Sequence, residues 1–306
     1  MKFFLSMMAI LVVFSARASE TALESRFHFL TTKCQVELTN GPETTPQSPP
    51  LNVDDPATPG CNKWEINVVV DGDNANSQRK LELPLLDVNY GIGDNIQLKY
   101  ELPYLSNRLG DANTAAIGES KAGIKYMFFE DEKDRFQVAV YPQLTFVKAN
   151  SDAVEKSLAT QGSILTLPLL TSFKLGETSR GEINLTGNVG YNFSTKLDQA
   201  DFVSASVGIG APLLDKLSIM SAVSTQQATK ALDEDLRLQL VKGELGLVGS
   251  INRHFLLFGA FGHSIYSSDT LDHTYGLIGF RLIVNGIQTE SKQVASRQEV
   301  YSGMSL

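Results

Sequence analysis

The chain has 306 residues, 42% of them hydrophobic, and 26 basic against 34 acidic side chains give it a net charge of −8 at pH 7. That balance speaks against nucleic acid as a partner, because phosphate neutralisation needs clustered Lys and Arg. Past the first residues no stretch approaches eighteen continuous apolar side chains, so no membrane-spanning helix is expected.

Lys2, the apolar run from Phe3 to Phe14 and Ala16-Arg17-Ala18 read as a secretory signal peptide over 1–18, cleaved after Ala18. As an uncleaved anchor the run would be short for a bilayer. Loss of Lys2 and Arg17 takes the net charge to about −10. Residues 19–63 are rich in Thr, Pro and Asn and read as an irregular arm. The arm carries Cys34 and Cys61, and two cysteines in an exported chain suggest one disulfide. By the loop-entropy model that bridge is worth roughly 3 kcal/mol. A metal site or reactive thiol is the alternative, and no metal or cofactor is expected.

From Trp64 the pattern becomes a series of period-two runs rich in Val, Ile, Leu, Phe and Tyr. Strands are expected over 64–71, 81–92, 96–105, 119–130, 135–148, 164–175, 181–194, 201–213, 216–226, 235–250, 254–267 and 273–284. At 151–161 the segment SDAVEKSLATQ could form a short helical turn inside a connection. Short connections, such as Gly93-Asp94-Asn95, Asp131 to Asp134, Asp215 and Asn252-Arg253, carry hairpin chemistry. They alternate with long polar ones at 72–80, 106–118 and 149–163. This rhythm predicts an all-β fold, an antiparallel up-and-down transmembrane β-barrel of about twelve strands over 64–284, followed by a polar tail at 285–306. In lipid every backbone N–H must be paired, and a closed sheet has no edge. The expected location is the outer membrane, with its lipid as one partner. A soluble periplasmic β-protein with its faces inverted is the architectural rival.

The faces follow from the alternation. In IQLKYELPY, Ile96, Leu98, Tyr100 and Leu102 oppose Gln97, Lys99 and Glu101. Phe136, Val138, Val140, Pro142, Leu144 and Phe146 oppose Arg135, Gln137, Ala139, Tyr141, Gln143 and Thr145. At 181–194 the polar set is Glu182, Asn184, Thr186, Asn188 and Asn192. In a barrel the apolar sets meet lipid and the polar sets line a lumen. Candidate lining residues are therefore Asp87, Gln97, Lys99, Glu101, Lys121, Lys125, Arg135, Gln143, Lys174, Glu182 and Arg237, with Asn89 beside them. They either tune the passage of a small-molecule solute or pair across strands and brace a packed interior. Trp64, Tyr90, Tyr104, Phe128 and Tyr191 near strand ends could join interfacial girdles.

An enzyme finds little support. His263 and Ser264 are adjacent in a strand, so their side chains point to opposite faces. There is no GxSxG elbow. The glycines of GIGDN at 91–95 and AIGES at 116–120 are not followed by a helix and read as turn or strand-end residues. A membrane-embedded lipid-modifying enzyme using His263 or His254, and a non-conducting structural or adhesive barrel, are the alternatives to a channel.

The runs LPLLDVNYGIGDNIQLKYELPYL at 83–105, GESKAGIKYMFFEDE at 118–132 and FQVAVYPQLTF at 136–146 resemble the outer-membrane transporter family named for the meta-cleavage pathway of phenol degradation. The matching features are the Asp-x-Asn-Tyr-Gly-x-Gly-Asp turn, the Gly-x-Lys-Tyr strand and the Tyr-Pro-Gln strand. The likeness is clearest over 81–147, and the arm and the tail fall outside it. It implies an outer-membrane barrel moving small or apolar molecules and supplies no catalytic residues. Outer-membrane barrels commonly end on an aromatic residue in the last strand, read by the barrel-insertion machinery, which is therefore an expected partner. Here YGLIGFRLIV at 275–284 carries Phe280, but the polar tail follows it.

Overall fold

The structure, a computed structural model, describes residues 52–75, 78–109, 112–131, 135–148, 150–196, 199–230, 239–268 and 273–285. The signal segment, most of the arm including Cys34, Arg237 and the tail lie outside the described residues. The strands are β1 (Lys63–Ala75), β2 (Gln78–Ile92), β3 (Ile96–Leu109), β4 (Ala112–Ile117), β5 (Ser120–Glu130), β6 (Phe136–Val140), β7 (Gln143–Phe146), β8 (Ser163–Thr178), β9 (Gly181–Ser194), β10 (Phe202–Leu214), β11 (Leu217–Ala228), β12 (Gln239–Asn252), β13 (Phe255–Ser267) and β14 (His273–Asn285). One helical turn, α1 (Asp152–Glu155), sits in the β7–β8 connection, within the segment expected to hold it.

Two pairs of these segments are single crossings. β4 and β5 both pair with β3, interrupted only at Gly118-Glu119, where Gly118 N–H still donates to Pro103 O at 2.8 Å. β6 and β7 lie between β5 and β8, interrupted at Tyr141-Pro142. Proline has no N–H for the ladder. Pro142 O nonetheless accepts from Ile124 N–H at 3.0 Å, and Tyr141 N–H donates to Pro168 O at 3.1 Å, so the break is bridged on both sides. The result is twelve crossings, each antiparallel to its neighbours. The ring closes where β14 pairs with β1 in unbroken register from Lys63↔Asn285 to Ala75↔His273.

Two long connections are shorter than expected. Residues 72–80 and 106–118 read as polar loops, yet β1 and β2 stay paired to Ala75↔Gln78, and β3 and β4 to Leu109↔Ala112. Once a hairpin is in register each added pair satisfies two more backbone groups. Cross-strand context thereby overrides the weak strand preference of Asp, Asn and Gly.

The face assignment holds around the ring. Leu98, Tyr100, Ile124, Leu167, Leu245 and Ile278 stand outside, with Ile278 67% exposed and Leu245 51% exposed. Their strand neighbours point inward: Ala139 and Leu170 are fully enclosed and Tyr141 is 1% exposed. An outer surface this apolar cannot face water without a large cost, whereas lipid accepts it. At the short-turn rim Trp64 packs at a tilt against Tyr90 and, near the other rim, Tyr191 against Phe193, each with ring centroids 4.5 Å apart, in keeping with girdles at both interfaces. A Leu245→Arg substitution puts a charge midway along an outward face. It is expected to destabilise the barrel in lipid vesicles by about 2–4 kcal/mol, read as a drop in the urea unfolding midpoint. A water-facing Leu245 would tolerate the same change.

Candidate functional site

The lumen has two unlike walls. On the β10–β13 side most inward positions are small or apolar, among them Ser206, Gly208, Ala222, Gly246, Val248, Leu256 and Phe258, with Lys242 and Glu244 of β12 the charged exceptions. On the opposite side a polar belt crosses β14, β1, β2, β3 and β5. Its geometry follows from register. Asp87 lies directly across from Glu101, a like-charge pair that would repel. Lys99, two residues along β3 from Glu101, places Nζ 3.6 Å from Asp87 and 2.5 Å from Glu101. Lys121, in register with Glu101 from β5, completes the alternation at 2.8 Å. The chain of contacts continues the other way: Asn67 donates to Asp87 at 3.0 Å and to Glu65 at 3.1 Å. Arg281 Nε in turn donates to Asn67 at 2.9 Å and lies 3.3 Å from Glu65. Gln97 donates to Asn89 at 2.6 Å and to Tyr141 Oη at 3.3 Å.

Asp87, Gln97, Lys99, Glu101, Lys121, Lys125 and Gln143 thus come together, all lining one cavity of about 870 Å³. Lys174 and Glu182 do not join them. They pair at 2.5 Å across the β8–β9 hairpin, with Glu177 2.9 Å away, and brace the short-turn end. Arg135 is exposed at the β5–β6 turn, where its N–H donates to Asp131. Several lining groups escaped the sequence reading: Glu65, Asn67, Arg281, Glu244 and the Glu119–Lys196 pair at 2.5 Å. The same alternation would have found Glu65 and Asn67 in WEINVVV. Glu119 shares the parity of Lys121 and Lys125 in the strand expected over 119–130 and was legible in the same way.

The arm enters this space. At the short-turn rim Asn62 N–H donates to Gly91 O at 3.0 Å, Tyr90 Oη donates to Asn62 at 3.1 Å, and Thr58 Oγ1 donates to Asp94 O at 2.7 Å. Gly91 is required here, since a β-carbon would stand 1.9 Å from Gly60 O. From the rim the chain rises through the lumen. Lys125 Nζ donates to Asp55 O at 2.8 Å and to Ala57 O at 3.0 Å, and Asn188 Nδ2 donates to Asp54 O at 3.0 Å. Val53, 3% exposed, packs against Met220 and Ala222 on the small-residue wall. Asn52 reaches Glu244, to which its N–H donates at 2.9 Å and its side-chain amide donates as well, and Tyr275 Oη at 3.2 Å. Tyr275 is itself seated over Gly262, where a β-carbon would fall 2.2 Å from the ring.

Among the described residues His263 and Ser264 form no nucleophile–base pair. His263 is exposed on the outside, its Nδ1 2.9 Å from Thr274 Oγ1, while Ser264 points inward and accepts from the backbone N–H of His273 at 2.9 Å.

No protein-family model and no curated protein matches the chain. Solved structures do. An outer membrane channel from Pseudomonas putida F1 superposes with a TM-score of 0.58 at 11% identity, over 77% of this chain and 100% of that one. The NanC porin gives 0.50 at 10% identity, over 71% and 98%. The KdgM porin gives 0.49 at 10% identity over the same shares. The chain has the fold of outer-membrane channels. At such identities the likeness extends to the backbone and leaves the lumen side chains to be read on their own.

Lys99 is 11% exposed and holds two carboxylates apart. Lys99→Met is expected to lower stability by about 2 kcal/mol, because it leaves Asp87 facing Glu101 with only Lys121, on the far side of Glu101, to offset the pair. Urea unfolding of Lys99→Met, Glu101→Gln and the double variant in vesicles checks this, and the double variant should lose about 1 kcal/mol less than the sum of the singles.

Proposed function

We propose that this protein is an outer-membrane channel through which small molecules pass by diffusion. The observation that carries the reading is the pairing of an apolar outer surface with a charged cavity of about 870 Å³ inside one closed sheet. Transmembrane barrels that only anchor need no such interior. A lumen carrying both signs of charge is the arrangement that tunes solute passage. The short turns would then face the periplasm and the long connections the exterior. The segmental resemblance over 83–146 to the transporter family of the phenol meta-cleavage pathway agrees with this reading. Export by the 1–18 signal and a Cys34–Cys61 bridge belong to the same proposal.

The full chain, reconstituted in a planar bilayer, is expected to give discrete conductance steps in KCl. Absence of steps together with absence of solute leakage from proteoliposomes would overturn the channel. Lys121, whose side chain is 35% exposed to the lumen, is the residue to reverse. Lys121→Glu should move the reversal potential under a salt gradient toward cation selectivity, because its charge lies within about one Debye length of any ion passing the belt.

A further inference from the structure

Lys125 is a buried cation compensated in an unusual way. Lys99, Lys121 and Lys196 each hold a carboxylate oxygen, at 2.5, 2.8 and 2.5 Å. Lys125 is only 5% exposed, and among the described residues it has no carboxylate partner. Its ammonium spends two donors on the main-chain carbonyls of Asp55 and Ala57 and lies 5.0 Å from the centre of the Tyr141 ring. A buried ammonium held by neutral dipoles is costly to leave bare, so the arm stays seated as long as nothing better is offered.

An anion is the better partner. The ammonium's bonds to the arm carbonyls carry charge on the donor alone, whereas a carboxylate brings a full opposite charge to the same place. Leaving also changes the field in the lumen, since the arm carries Asp54 and Asp55 away with it. An empty lumen is therefore more receptive to an anion than an occupied one.

We propose that Lys125 is the binding site of a small carboxylate-bearing solute, which takes the place of the Asp55 and Ala57 carbonyls and releases residues 52–57 from the lumen. This rests on the channel reading and names the solute class. The rim contacts at Asn62 and Gly91 are separate from the exchanged ones, so the segment swings from a fixed root. A ligand moves such an equilibrium only through its differential affinity for the two states. Here the difference is the Lys125 ammonium, paired with the arm in one state and with the solute in the other.

The test reads the arm itself, apart from conductance. Val53→Cys in the full chain, reconstituted in vesicles in chloride buffer, is labelled with a water-soluble thiol reagent, and the protein without this substitution gives the background from Cys34 and Cys61. Labelling should be slow, and acetate should speed it about tenfold where the neutral isostere acetamide does not. Lys125→Gln should label fast with or without acetate, and Lys125→Arg should restore slow, acetate-sensitive labelling. A heat-modifiability shift on a gel verifies that each variant is a barrel. Equal labelling with acetate and without it, or equal acceleration by acetamide, overturns the proposal even if the protein conducts. Acetate-sensitive labelling in a protein that does not conduct keeps the site and removes the channel.

Discussion

The whole structure depends on one seam. β14 pairs with β1 over thirteen residue pairs, and without that pairing two strands would present open edges. Closure fixes which groups point in, because side chains alternate along each strand and a closed sheet has one inside. From there the two solvents do the sorting. Leu245 and Ile278 go to lipid, and Lys99 and Glu101 go to the lumen. The same seam aligns Arg281 with Asn67, so the polar belt crosses from the last strand to the first without a gap.

Much of this was legible because period-two patterns report a face directly. Gln97, Lys99 and Glu101 share one side of β3, and register then brings Lys125 and Lys121 opposite Gln97 and Glu101. Twelve crossings were countable from turn chemistry such as Gly93-Asp94-Asn95. Hairpin extensions past residues 72 and 106 were not, since their pairing comes from the partner strand. The position of the arm was least legible of all. Asn52 and Glu244 are 192 residues apart, and Lys125 and Asn188 bind backbone carbonyls, which every residue type offers alike. Lys174 and Glu182 read as lining residues from the alternation, and nothing in it told that they would pair with each other at the turn.

The two walls divide the labour of the lumen. The belt from Arg281 to Lys121 is rigid by mutual pairing, each charge being held by neighbours on adjoining strands. The opposite wall, with Gly208, Met220 and Ala222, offers a small-residue surface against which the arm packs. The arm exploits both, resting Val53 against Met220 and Ala222 and offering its carbonyls to Lys125 and Asn188. The remaining cavity lies beside it, along the charged side.

The root of the arm at Gly60 and Gly91 has a topological consequence. The segment inside the ring precedes β1, and it joins β1 at the short-turn mouth, where Asn62 meets Gly91. Its described part, residues 52–62, runs inside the ring from that mouth and does not interrupt the sheet. Its contacts with Lys125, Asn188 and Glu244 are made through their side chains, so the ladders that join β1 to its neighbours do not depend on whether the segment is seated.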